Sequence, residues 1–417
     1  MGEFDKLDQA CSGLAEPVAE VYRSLAWCQA VFVDEPALAV IADCSAPRAR
    51  AVAASLIEAG LVRRMPGPAG AGLRIGLDAA GRVHAGSVEV GDWVFEGSYR
   101  WADYLVGCAA AVERRVTPTH RLPFPDWSPP QVGVLPFGAG AGEAVAWLVE
   151  QRPNYCALIR WAIGETKFAL AYTLAQLLWP LWLWARPAET VEMLELGLAA
   201  AGGFRDVYAL GQMRTTLAGQ LRSIPSELWR AFALDGAALH AAEQAGDERA
   251  VAQATNALGK DALAAGLTDT AREHFAAAEQ MRLALGDGRG AGLSREGLAK
   301  VATARGELGT AIEHLEQAHA MLAGAGDVFD TLLVEAELGV MRARTGDLGA
   351  GLEQIEAARA GLEAAGADYG HVLVLRMQAG ALRAAGRCAA ADRAALRAAE
   401  LLEPLDPAAA SRLRDVA

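Results

Sequence analysis

From about Val207 to Asp406, small residues return every 40 positions. One column holds Gly219, Gly259, Ala299, Gly339 and Ala379. A second, 12 residues on, holds Ala231, Ala271, Ala311, Gly351 and Ala391, and a third, 7 further, Ala238, Ala278, Ala318, Ala358 and Ala398. Between the first two lies a turn position: Ser226, Gly266, Gly306, Gly346 and Gly386. A glycine there supplies a left-handed helix cap. Small residues on either side let two antiparallel helices approach closely. A bulky residue four after the second small one fills the core between them: Phe275, Leu315 and Ile355. No such hairpin can bury its apolar face alone, so the five units must stack into one array. The pattern fails at the ends. Asp235 takes the bulky position of the first unit, with Arg222 late in its first helix, and Ala395 takes it in the last. These departures read as irregular terminal caps.

The columns, their spacing and the turn glycine resemble the tetratricopeptide repeat (TPR). That resemblance implies an α-solenoid, an α-α superhelix whose first helices line a concave face. The usual repeat is about 34 residues, and here it is 40. The extra residues fall between units, where Gly246-Asp247, Gly286-Asp287, Gly326-Asp327 and Ala367-Asp368 sit. Longer helices or longer connections are expected.

The rest of the chain divides by composition. Residues 1–116 read as a small winged-helix-like α+β module. Helices are expected at Pro17–Cys28, Pro36–Asp43 and from Ser45–Pro47 to Ala59, then a hairpin of Leu61–Met65 and Leu73–Leu77 about a turn at Pro66–Gly72, and a helix at Ala102–Arg115. Residues 117–142 concentrate Pro118, Pro123, Pro125, Pro129, Pro130 and Pro136 before Gly138, Gly140 and Gly142, the composition of a linker. Residues 143–206 read as an irregular, Trp-rich helical start to the solenoid, with helices at Ala144–Glu150, Tyr155–Ile163, Lys167–Trp184 and Ala188–Ala200. Within it, Phe168–Ala185 carries no charge, but Pro180 interrupts it. A buried helix pair is expected rather than a membrane span. Residues 207–406 are the five repeats and 407–417 a tail. The fold class is mostly α.

The order of these parts resembles the C-terminal portion of AfsR-type regulators of actinobacteria, within the signal-transduction ATPases with numerous domains (STAND). The residues that carry this are Tyr22–Ala26 (YRSLA), Ala144–Ala162 with its Glu150–Asn154 (EQRPN), and the repeats after them. An Ala-, Gly- and Arg-rich composition with only four lysines fits a high-GC genome. Such regulators carry an NTPase domain ahead of the winged helix. No GxxxxGK[ST] occurs here, so nucleotide switching is not carried over. The expectation is a sensor portion lacking the NTPase domain.

Charge and motifs narrow the function. A net charge of −13 excludes a generally cationic nucleic-acid coat. Six cysteines without a CxxC or neighbouring His point to a reduced, cytoplasmic chain, and no signal peptide is visible. No nucleophile elbow, carboxylate pair or metal motif stands out, so neither catalysis nor a cofactor is expected. By repeat position the concave face includes Gln220, Asn256, Lys260, Glu296, Lys300, Thr303, Arg376 and Arg383. Lys260 and Lys300 hold equivalent positions, which suggests an acidic or C-terminal carboxylate ligand on a peptide or partner protein. His274 and His314 are also equivalent but fall on second helices, facing out. Three functions remain: regulatory recognition in transcription or secondary metabolism; DNA binding by the winged helix through Arg48, Arg50, Arg63, Arg64 and Arg74; and an accessory or enzymatic role in natural-product biosynthesis, holding a precursor peptide or small molecule. The Trp-rich segment also offers a surface for a homodimer.

Overall fold

A computed structural model describes residues 2–67, 72–87, 91–118, 120, 123–124 and 126–415, with the Glu3 side chain excepted. The tip of the expected Pro66–Gly72 turn and Pro125 of the linker lie outside the described residues. The chain divides into two compact units, Met1–Ala139 with Trp147–Leu178, and Gly140–Ala146 with Trp179–Ala417.

The first unit begins with α1 (Glu3–Ser12), α2 (Glu16–Trp27), β1 (Val33–Asp34), α3 (Glu35–Ile41) and α4 (Ala46–Glu58). Then come β2 (Arg63–Arg64), β3 (Arg74–Gly76), α5 (Ala79–Ser87) and α6 (Asp92–Val116). The strands form an antiparallel sheet in the order β1-β3-β2. Three helices, a two-stranded hairpin and one extra short strand make the winged-helix arrangement. Prolines in the first turns of α2, α3 and α4 start each helix where the missing N–H costs nothing. Gly60, at φ +72°, turns the chain out of α4. The sequence pattern missed α1, β1, α5 and the first turns of α6. Ser45 has extended backbone, but its side chain makes no capping bond.

Three expectations about the middle of the chain are corrected. The separate helices at Ala144–Glu150 and Tyr155–Ile163 are one helix, α7 (Ala141–Gly164), which carries Pro153 inside it. Among its described residues the 117–142 segment has no helix before Ala141, but it is no free spacer. Gly107 of α6 admits it closely, since a Cβ there would sit 2.7 Å from the Pro130 carbonyl oxygen. Arg115 donates to the Gly138 carbonyl at 2.7 Å. The expected Lys167–Trp184 helix is the pair α8 (Phe168–Leu177) and α9 (Trp179–Trp184).

The Glu150–Asn154 motif anchors α7 to the sheet. The Asn154 side chain accepts from the Val31 and Phe32 amides and donates to the Phe32 carbonyl at 2.9 Å. Gln151 donates to Asp34 at 3.1 Å. Glu150 pairs with Arg74, whose guanidinium also lies 4.6 Å from the Phe32 ring centroid. Three residues of one motif thus hold the chain that enters β1, Asp34 of β1 and Arg74 of β3.

The second unit is a TPR-like α-solenoid. After α10 (Thr190–Gly203) five hairpins follow: α11 (Val207–Leu221) with α12 (Leu228–Ala245), α13 (Glu248–Ala264) with α14 (Thr268–Ala284), α15 (Gly288–Arg305) with α16 (Leu308–Gly324), α17 (Val328–Arg344) with α18 (Leu348–Ala365), and α19 (Asp368–Ala384) with α20 (Cys388–Leu402). The 407–417 segment contributes α21 (Pro407–Arg414). The surplus over the usual repeat lies in the helices, mostly 17 or 18 residues long, not in the links. Left-handed glycines fall every 20 residues, from Gly246 through Gly386. They follow each helix from α12 to α19, which leaves α11 of the first hairpin and α20 of the last without one. After four of them, Asp247, Asp287, Asp327 and Asp347 cap the next helix by accepting an amide hydrogen. The Gly-Asp pairs are therefore stop and start signals. Small residues meet where predicted. A Cβ on Gly351 would lie 2.5 Å from the Gly339 carbonyl oxygen, so α17 and α18 pack backbone to backbone.

The inner face of the solenoid

First helices of successive hairpins touch one another, α11 with α13, α13 with α15 and α17 with α19, while successive second helices make no comparable contact. The first helices therefore lie on the inside of the curve. Their side chains form a charge network that crosses from hairpin to hairpin. Arg222, just past α11, donates to Asp261 of α13 at 2.6 Å and to Asp235 of α12 at 2.7 Å. Arg289 of α15 pairs with Asp327 and, at 2.7 Å, with Asp330 of α17. Lys300 of α15 pairs with Glu296 and, at 3.1 Å, with Glu337 of α17. Lys300 keeps 45% of its side-chain exposure although protein surrounds it, as befits the floor of a curved surface.

Burial shapes the titration of this face. It pushes Asp330 and Glu337 each up to about 7, against the attraction of Arg289 and Lys300 respectively. Burial likewise raises Asp235 and Asp261, which lie against each other. Lys300 moves above the ordinary lysine range, because its two glutamates outweigh its burial. Lys260 moves the other way, down to about 8, because burial outweighs the pull of Glu296. A pH dependence of stability follows. Folded Asp330 and Glu337 hold protons that the unfolded chain releases near pH 4. Unfolding should become easier as pH rises from about 4 to about 7, and the dependence should flatten above. Urea midpoints from pH 5 to 8 check this: Asp330→Asn with Glu337→Gln should give a shallower fall than the unaltered chain. An equal slope would refute the shift.

The sequence-predicted residues divide into groups here. Asn256, Lys260, Glu296 and Lys300 come together on α13 and α15. Asn256 is 4% exposed and accepts from the Ser294 hydroxyl at 3.0 Å. Its Nδ2 and the Lys260 Nζ have no hydrogen-bond or ion-pair partner among the described residues. The two lysines are therefore not alike: Lys300 is neutralised within the protein and Lys260 is not. Gln220 is 8% exposed and belongs to a different contact, described below. Thr303 lies 3.7 Å from the Met341 sulfur. Arg376 is exposed, and Arg383 pairs with Asp392 at 3.0 Å. Both stand on α19, away from the lysines. Asp261, Arg289, Asp330 and Glu337 escaped sequence reasoning, which marks Asp235 and Arg222 as departures from the repeat but does not pair them. The signal was available at Asp235, a carboxylate in a column of core residues.

The arginines assigned to DNA fare differently. Arg74 does not face outward as expected; it is 8% exposed beneath Glu150, since β3 is the central strand. Arg50 pairs with Glu35 at 2.6 Å and Arg63 with Asp78. Arg48 and Arg64 are exposed. His274 and His314 are half-buried on α14 and α16, and Arg295 lies 3.4 Å from His314. No group of three His, Cys, Asp or Glu among the described residues could hold a metal ion. No helix among them is long and apolar enough to cross a membrane.

No family model matches the chain, and no curated protein matches it. Solved structures are similar in fold at low identity. The apo form of RapI is 11% identical over 61% of this chain and 94% of its own, with a TM-score of 0.49. A Rap protein complexed with competence and sporulation factor is 9% identical over 63% and 81%, with a TM-score of 0.46. A STAND protein with a tetratricopeptide repeat sensor from Pyrococcus horikoshii is 14% identical over 100% and 67%, with a TM-score of 0.41.

Proposed function

We propose that the protein is a non-enzymatic regulatory recognition module whose solenoid captures a peptide or partner protein on its inner face. Asn256 and Lys260 anchor an acidic group or a C-terminal carboxylate. The observation that carries this reading is the contrast on the inner face: nearly every charge there is already paired, while the Asn256 amide and the Lys260 ammonium, one helical turn apart, are left as free donors. A carboxylate supplies the acceptor both lack. The winged-helix module, the EQRPN motif and the repeats, in that order, support a place among transcriptional or secondary-metabolite regulators of the AfsR type in actinobacteria. Six cysteines that form no disulfide support a cytoplasmic setting.

Native mass spectrometry of the protein from its own host should retain a peptide or protein partner. For a partner so found, Lys260→Ala should weaken binding by about tenfold, the loss of one charge-assisted hydrogen bond. Affinity should also fall as pH rises through about 8, where Lys260 loses its proton. Unchanged affinity in Lys260→Ala would refute the anchor.

A further inference from the structure

The segment that follows α9 ties distant hairpins together. Arg186 donates to the Tyr369 hydroxyl at 2.8 Å, to the Gln220 carbonyl at 3.0 Å and to the Ser223 hydroxyl. Gln220 and Ser223 end the first helix of the first hairpin, and Tyr369 begins the first helix of the last. Two residues before Arg186, Trp184 stacks on Phe329 of α17 at 5.7 Å. Two residues after it, the Ala188 amide donates to the Leu405 carbonyl at 3.1 Å. No carboxylate answers the Arg186 charge among the described residues. It is held by a carbonyl, two hydroxyls and the face of the Tyr369 ring, 5.2 Å away.

This occupant fits its site imperfectly. The Trp184 Nε1 and the Gln220 Oε1 are both buried without a hydrogen-bond partner among the described residues. Buried polar groups are rarely left so. Arg186 itself sits at φ +48°, in the left-handed region where a non-glycine residue is strained. A segment that leaves a donor and an acceptor orphaned and bends its own backbone is one that a better-fitting chain can replace.

We propose that Trp184–Arg186 fills, in cis, a recognition site for an aromatic-X-arginine segment of a partner protein, and that such a partner displaces it. Displacement unties α11 from α17 and α19 and so opens the inner face. This deepens the recognition reading above but uses a separate contact, independent of Asn256 and Lys260.

The probe is a fluorescent, end-blocked peptide of residues 182–190 (WLWARPAET), read by anisotropy against the full chain. Arg186→Ala vacates the arginine part of the site and removes the bonds that hold the cis segment to Tyr369, Gln220 and Ser223. It should bind the peptide at least about tenfold more tightly than the unaltered chain, whose cis segment lowers the apparent affinity by the fraction of open sites. A peptide with alanine for its arginine should bind neither chain. Lys260→Ala should leave the peptide's affinity unchanged, so failure here and failure of the carboxylate anchor are distinguishable. A folded Arg186→Ala chain that binds no tighter than the unaltered one, or that binds the arginine-less peptide equally, overturns the proposal. Should Arg186→Ala not fold, hydrogen exchange of the unaltered chain decides. The amides of Trp184, Ala185 and Arg186 should exchange by local opening, faster than the cores of α17 and α19. Exchange only by global unfolding overturns it.

Discussion

Arg222→Leu should destabilise the solenoid by about 3–5 kcal/mol, the cost of leaving buried charge without its partner. Asp235 and Asp261 are fully buried, and Arg222 is the cation that reaches both. Even with it in place, the Asp235 Oδ1 and the Asp261 Oδ2 have no hydrogen-bond partner of their own. Removing it leaves two carboxyls that fold only by taking up protons. The loss should therefore shrink at low pH. In the variant both groups titrate above their unfolded values near 4, so its stability falls as pH rises from there. The triple variant Arg222→Leu, Asp235→Leu, Asp261→Val should behave oppositely. Its side chains match the repeat, where Phe275, Leu315 and Ile355 occupy the first aspartate's column and Val301 and Met341 the second's. Replacing a whole buried ionic group by apolar residues is neutral or stabilising by about 1–4 kcal/mol. Urea unfolding of both variants at pH 5 and pH 8 checks the pair. A single variant that loses under about 1 kcal/mol at pH 8 would mean the triad is solvated and its burial misjudged.

That triad marks the boundary of what the sequence could say. The 40-residue columns located every hairpin of the solenoid, because a small residue, a turn glycine and a core residue each answer a local steric demand. The same columns flagged Asp235 and Arg222 as exceptions. They could not say that Asp261, in another column of another helix, completes the exception, because periodicity records one helix face at a time. The two helices expected on either side of Pro153 are one helix for a related reason. As a local signal the proline breaks a helix, but α7 continues through it while neighbouring Gln151 and Asn154 lock the helix onto β1. The concave-face residues were legible as positions. Whether a lysine is free was less so: Lys260 and Lys300 are equivalent in register and differ because Lys300 has Glu296 one turn before it, where Lys260 has Asn256, and because Glu337 stands on the next hairpin. The Arg186 contact was invisible, since it joins residues up to 183 positions apart.

Phe275→Ala should cost about 3–5 kcal/mol, and a second substitution should recover part of it. The Phe275 ring is fully buried, and two glycines from successive first helices make its room. A Cβ on Gly259 of α13 would stand 2.9 Å from the ring, and one on Gly297 of α15 would stand 2.5 Å from it. Truncating the ring therefore opens a cavity at the junction of two hairpins as well as inside one. Because solenoid stability is a sum of unit and nearest-neighbour terms, weakening that junction should also split the unfolding transition. In the unaltered chain Gly297→Leu should destabilise by about 1–3 kcal/mol through overpacking against the ring. In the Phe275→Ala background the same leucine has a cavity to enter, and leaving glycine in mid-helix gains about 1 kcal/mol in either background. Its effect should therefore change sign between the two. The double-mutant cycle isolates the coupling from the helix-propensity gain, which cancels. An effect of equal sign and size in both backgrounds would mean that the ring and the glycine do not share one space, and that the glycine at position 297 answers to something other than Phe275.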